Sequence, residues 1–293
     1  MSLQDVQKKW QLLHTEDIDT LQPAIDQLHR GAQFIAMLGK HFLPNKPDDS
    51  HTNMGWLDQL ECLAGNLITA PKGNFQLGIR SKDLTLLLIN SDHKILKEFT
   101  LSGKTKNGVF TWLEEQLAAF GLDSSLYKMD IHYDIPYHET DDGTPFQLKN
   151  PSVFQEWAKI RANSHFMLND FALQSKTASS VRTWPHHFDT GTYIPFIFNE
   201  SNEATKSMSL GFAIPDSVIT EPYFYVTQWS KEGGLSYKGL QPLSNGLWLP
   251  EKLGGSALKI SAITALKNSE DQAKMVYAYF EESIAASKRI IGV

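Results

Sequence analysis

The densest run of residues able to do chemistry is Thr183-Trp184-Pro185-His186-His187-Phe188-Asp189. Read as a strand, it sends alternate side chains to one face, so His187 and Asp189 point together and His186 joins Trp184 and Phe188 opposite. A histidine held by an orienting carboxylate can act as a general base. The same residues with His186 offer metal ligands, but neighbours rarely all ligate one ion, so that version needs a further histidine such as His51 or His132. The plain alternative has His186 packing on Trp184, with His187 and Asp189 facing water or capping a turn.

A second feature is Glu221-Pro222-Tyr223-Phe224-Tyr225-Val226-Thr227-Gln228-Trp229. As a strand it presents Glu221, Tyr223, Tyr225 and Thr227 on one face and Pro222, Phe224 and Val226 on the core side. A face of one acid, two tyrosines and a threonine suits a small-molecule pocket, where aromatic bodies pack and hydroxyls orient. Cross-strand aromatic pairing on a wet sheet face, or burial in an oligomer interface, would explain it equally. The catalytic expectation is His187 as base, Asp189 orienting it and Glu221 as acid or second base. The substrate-binding expectation is His51, Trp184, His186, Tyr223 and Tyr225. Asp130, His132 and Asp134 alternate in Tyr127–Pro136 and would share one face of another strand.

Standard motifs are missing. Gly103-Lys104-Thr105 resembles the end of a phosphate loop, but the glycine such a loop needs is replaced by Glu98. There is no GxGxxG, GxSxG or HExxH pattern. The one cysteine, Cys62, allows no intrachain disulfide and no CxxC site. No cofactor is indicated, and no residue is assigned to a metal.

The elements that must position these residues follow from periodicity. Leu21, Ile25, Leu28, Ala32, Ile35 and Phe42 form one stripe of a helix over 20–43. A turn-rich break, 43–52, carries His51. Leu57, Leu60, Ala64 and Leu67 predict a second, shorter helix. Asn74–Arg80, Leu84–Asn90 and Ile95–Leu101 predict a three-stranded meander. A helix over 107–120 ends at Gly121, and Asn150-Pro151 opens another. Strands are expected at 181–188, 192–198, 207–214 and 222–229, with a short one near 257–263. Ser269-Glu270-Asp271-Gln272 reads as the capping box of a last helix, with Val276, Tyr279, Phe280 and Ile284 on its buried face. The fold class is therefore α+β, antiparallel meanders packed with helices. The second half echoes the first in element order, as an internal structural duplication would. The chain is expected to form one unit, with lobes 1–140 and 141–293 sharing a core.

The 293 residues carry 27 basic and 33 acidic side chains, a net charge of −6. That argues against a nucleic-acid partner, which calls for a basic excess. The longest apolar run, 84–90, is too short to cross a membrane, and the first ten residues lack a signal-peptide core. A cytoplasmic, soluble protein is expected, with a small-molecule ligand and self-association both open.

Four stretches carry a resemblance: the polar, histidine-bearing loop Asp48–Trp56 between apolar stripes, Phe75–Ile79 with its hairpin, W-P-H-H-F-D at Trp184–Asp189, and G-F-A-I-P-D with E-P-Y-F-Y at Gly211–Asp216 and Glu221–Tyr225. Over roughly residues 20–230 the chain resembles a family of bacterial proteins about 300 residues long with no known function. Members show an aromatic segment ending in F-D and a G-F-x-P-G-D element followed by P-x-F-Y. Ile214-Pro215-Asp216 departs from the glycine form. The resemblance implies no reaction, substrate or cofactor, only that the two β motifs meet in space. Together these features point to a protein that binds a small polar molecule in a polar-aromatic pocket, with acid/base hydrolysis as its chemistry if it has one. The rival is a structural or interaction protein that uses the aromatic face as an oligomer interface.

Overall fold

The computed structural model describes residues 3–14 and 18–293, so Met1 and Ser2 of the signal-peptide argument lie outside it. Its helices are α1 (Leu3–Lys9), α2 (Gln22–Phe42), α3 (Lys106–Ala119), α4 (Pro151–Leu173), α5 (Ile260–Thr264) and α6 (Ser269–Ile291). Its strands are β1 (Gly55–Leu57), β2 (Cys62–Ala64), β3 (Phe75–Arg80), β4 (Thr85–Asn90), β5 (Ile95–Thr100), β6 (Arg182–Thr183), β7 (Thr190–Phe198), β8 (Ala204–Ala213), β9 (Tyr223–Ser230), β10 (Leu247–Leu249) and β11 (Gly255–Lys259). Both sheets are antiparallel, so the fold is α+β. The chain divides into two compact units: a first of Thr20–Ala158 with Arg182–Phe188, and a second of Met1–Asp19, Lys159–Val181 and Asp189–Val293.

In the first unit the sheet runs β1-β2-β3-β4-β5 in sequence order. The run Leu86-Leu87-Leu88-Ile89 in β4 is buried on both faces, which is why it is continuously apolar rather than alternating. One face meets α2 and α3. Gly31 of α2 leaves room for Ile79 and Leu101, and Phe99 and Phe75 meet Trp112 and Phe120 at ring distances of 4.6 and 4.4 Å. On the other face Cys62, Ala64, Leu87 and Ile89 pack with Leu57 and Leu60. Burial pushes the Cys62 thiol up to about 12.

The expected second helix is not formed. Leu57 and Ala64 lie in β1 and β2, which pair Leu57 with Cys62. Leu60 sits in the tight turn between them, closed by Glu61 at φ 48°. Pairing of Cys62–Ala64 with Gly78–Arg80 overrides the helical spacing, a non-local contact that outweighs local pattern.

Tyr127–Pro136 is not a strand either. Its chain bends at His132 and Tyr133 and runs opposite to α2, whose side chains take the place of a ladder. His41 bonds Lys128 O at 3.2 Å, Lys40 and Arg30 donate to Asp130 O and Pro136 O, and the Tyr127 hydroxyl donates to Phe34 O at 3.0 Å. Asp130, His132 and Asp134 are exposed and alternate with half-buried Ile131, Tyr133 and Ile135, but they belong to no sheet: Asp130 is bound by Lys40 and His41, and His132 by Asp49.

In the second unit the sheet runs β10-β11-β9-β8-β7. Its core face, with Phe212, Leu210, Phe224 and Val226, packs on α6, where Phe224 meets Phe280 at 5.7 Å. Buried Gln272 of α6 receives Leu13 N at 3.0 Å and donates to Leu13 O at 2.9 Å, fastening the segment after α1. The cap of α6 is Asn268 rather than Ser269, because Asn268 takes the extended backbone and its side chain accepts from Asp271 N.

Candidate functional site

The W-P-H-H-F element belongs to the first unit and is a turn instead of a strand. Thr183 pairs with Met54 as an isolated bridge. The chain then reverses, with Phe188 N donating to Trp184 O at 2.7 Å. Phe188 takes φ 52°, the left-handed region that a bulky residue enters only under constraint. The constraint is visible: Pro185 O is bonded by His29 Nε2 at 2.8 Å and Gln33 Nε2 at 2.9 Å, and the Phe188 ring stacks on His29 at 5.2 Å. The strand alternation that aligned His187 with Asp189 is thus absent, and the two residues fall in different units.

His186 lies among rings, 6.2 Å from Trp184, 5.8 Å from Tyr133 and 4.4 Å from His187. His187 is exposed. His51 is buried in the loop over α2. There Gly39 is required, because a Cβ would stand 2.1 Å from His51 O. Asn66 holds the loop through the carbonyls of Ser50, His51 and Asn53. No group of three or more metal-ligating side chains occurs among the described residues.

The first unit also holds a cleft of about 830 Å³ that sequence reading missed. Thr105, Lys106, Asn107 and Phe110 of the α3 start form one wall, Lys128 and Met129 a second, and Thr140–Gly143 a third. Asp141 binds Lys106 at 2.8 Å and Arg30 at 2.9 Å. Burial alone would push its carboxyl up, but Lys106, the His138 amide and Arg30 outweigh it and hold the carboxyl below its ordinary value. Tyr137 donates to Asp142 at 2.7 Å. The Lys128 ammonium and the Asn107 amide have no hydrogen-bond or ion-pair partner among the described residues. The failed phosphate-loop pattern at 103–105 ends at this wall, and it was the one available sequence signal.

The second unit brings Asp189, Tyr223 and Tyr225 together on the outer face of its sheet. Asp189 Oδ2 accepts from the Tyr225 hydroxyl at 2.8 Å, and the two tyrosine rings lie 6.3 Å apart. The reach depends on glycine. Gly191, Gly211 and Tyr225 are paired across three strands, and a Cβ on Gly211 would lie 2.2 Å from Tyr225 Cζ. The ring lies flat over two residues without side chains. Burial first, then the charge of Asp189, pushes the Tyr225 hydroxyl well up, so it remains a phenol donor. Arg161 of α4, 2% exposed, donates to Thr190 at 2.7 Å. Burial pushes it down to about 9 while Asp189 opposes, so it remains a cation at neutral pH.

The remaining expected groups are engaged elsewhere in this unit. Tyr223, 2% exposed, donates to Asp216 at 2.7 Å, and Asp216 also accepts from Val218 N and Ile219 N. Tyr223 is therefore covered by its own chain. The Glu221 carboxylate accepts from Ser261 N at 2.9 Å and faces Lys259 at 3.4 Å. It tethers β9 to the start of α5 and is not poised as an acid. No helix of the described residues is long and apolar enough to cross a membrane. Comparison with protein-family models, curated proteins and solved structures finds no match.

Proposed function

We propose that this protein binds a small polar molecule bearing an anionic group, and that the cleft of the first unit holds it. The observation that carries the reading is the cleft itself, about 830 Å³, within the roughly 300–1,000 Å³ of ligand sites. Its lining supports the ligand class. Lys128 and Asn107 are available to an anionic group, Asp142 to a donor, and Phe110 and Met129 to an apolar body. Lys106 and Asp141 satisfy each other and shape the wall. The reading assigns no catalytic step, because Glu221 is engaged by Ser261 N and Lys259 while His187 and Asp189 fall in different units.

A thermal-shift screen against small carboxylates and phosphates tests it. A ligand at 100 times its dissociation constant stabilises by about 2.7 kcal/mol. The expected result is a shift in the parent protein that is lost in Lys128→Glu with Asn107→Ala. A shift that survives this double change, or no shift across the screen, would sink the proposal.

A further inference from the structure

The outer sheet face of the second unit continues beyond Tyr225 into a zone that nothing described so far uses. Tyr193, Pro195, Ser207, Ser209, Thr227 and Trp229 all point to it, since Tyr193 pairs with Ser209 and Ser209 with Thr227, while Pro195 pairs with Ser207 and Ser207 with Trp229. The face has two parts of different character. At one end Tyr223 and Tyr225 are tied down by Asp216 and Asp189. At the other, Tyr193 and Trp229 are 41% and 48% exposed. The Tyr193 hydroxyl, the Ser209 and Thr227 hydroxyls and the Trp229 indole N–H have no hydrogen-bond partner among the described residues.

The geometry sets the occupant. Ser209 forms a low floor on β8 beside the buried Ser207, with Tyr193 and Trp229 standing on the strands to either side, two strand spacings and two residues apart. That is about 10 Å across and about 7 Å along the sheet, a diagonal of about 12 Å. None of the six side chains is charged, and Lys231, two residues past Trp229, is paired with Glu203, so the zone favours a neutral ligand. A neutral ligand must be flat enough to lie between two rings, with apolar faces for them and many hydroxyls for the open donors and acceptors. Aromatic side chains with one polar handle suit such half-apolar ligands. We propose that this face is a carbohydrate-binding surface that takes a neutral saccharide chain across β7, β8 and β9. The inference is independent of the cleft, which belongs to the other unit.

Affinity electrophoresis through gels containing neutral polysaccharides (soluble starch, a β-glucan, xylan and galactomannan, each alone) tests it with the full chain. The expected result is retardation in at least one gel, reduced tenfold or more in Trp229→Ala and in Tyr193→Ala, and unchanged in Lys128→Glu. Thermal melting of the two aromatic variants should stay near that of the parent, because both side chains are exposed. Thr227→Val, which keeps the shape and removes the hydroxyl, should weaken retardation severalfold. No retardation in any gel would overturn the proposal, as would retardation indifferent to Trp229 and Tyr193. A concentration-dependent dimer that Trp229→Ala dissolves would also overturn it, assigning the face to a second copy of the chain.

Discussion

At the scale of single residues, side chains that read as reactive in the sequence serve mainly to hold shape. Tyr225 is the clearest case. Its hydroxyl is a permanent donor to Asp189, and its ring fills the groove left by Gly191 and Gly211. Neighbouring Arg161 is a buried cation that the Asp189 charge helps to keep protonated. Gly211→Ala should therefore be costly, because the new methyl overlaps the ring and forces it off Asp189. A loss of about 1–3 kcal/mol is expected from overpacking. Urea unfolding would show it, and Gly211→Ala combined with Tyr225→Leu should lose less than the sum of the single changes. Strict additivity of the two changes would contradict the stacked geometry.

At the scale of elements, the segment 127–136 and the following turn behave as a strap along α2. Side-chain donors from α2 satisfy carbonyls that a sheet partner would otherwise bond. Asp141 closes the strap by joining Arg30 of α2 to Lys106 of α3. Its carboxyl is held below the ordinary value in the fold, so the unfolded chain takes up the proton first as pH falls. The stabilisation is therefore full above the ordinary carboxylate value of about 4 and is lost as pH falls through the depressed one. Denaturant midpoints of the parent and of Asp141→Asn, measured from pH 7 down to pH 2.5, should differ most at the neutral end and converge at the acid end. A constant difference across that range would remove Asp141 from the account.

At the scale of the whole molecule, the single thiol reports on opening. Cys62 is fully buried, and its thiol is pushed up to about 12, so at pH 8 it is both hidden and protonated. Alkylation by iodoacetamide requires the thiolate and access to it. The native protein should resist alkylation for hours at pH 8, and one equivalent should react at once in strong denaturant. The rate in between should follow local or global unfolding of the first unit. Rapid native alkylation would show that the cluster of Cys62, Ala64, Leu87 and Ile89 is not sealed.

The sequence by itself determined what depends on neighbours along the chain. The stripe of α2, the meander β3–β5, the end of α3 at Gly121, the start of α4 at Pro151 and the shared face of Tyr223 and Tyr225 all follow from local period and capping. Only the tertiary structure decided the rest. The apolar spacing at 57–67 fits a helix, but β3 was available to pair with Cys62–Ala64. The alternation at 127–136 fits a strand, but α2 supplied side-chain donors in place of a second strand. The alternation at 183–189 fits a strand too, until His29 and Gln33 seize the carbonyl of Pro185 and fold the segment into a turn. At 57–67 and 183–189 a buried backbone group had to find a partner, whereas at 127–136 exposed carbonyls took side-chain donors from α2; each partner lay dozens of residues away or more, or in a neighbouring strand beyond a turn. The cleft and the open half of the sheet face are of the same kind, since each is lined by segments that only the folded chain brings together.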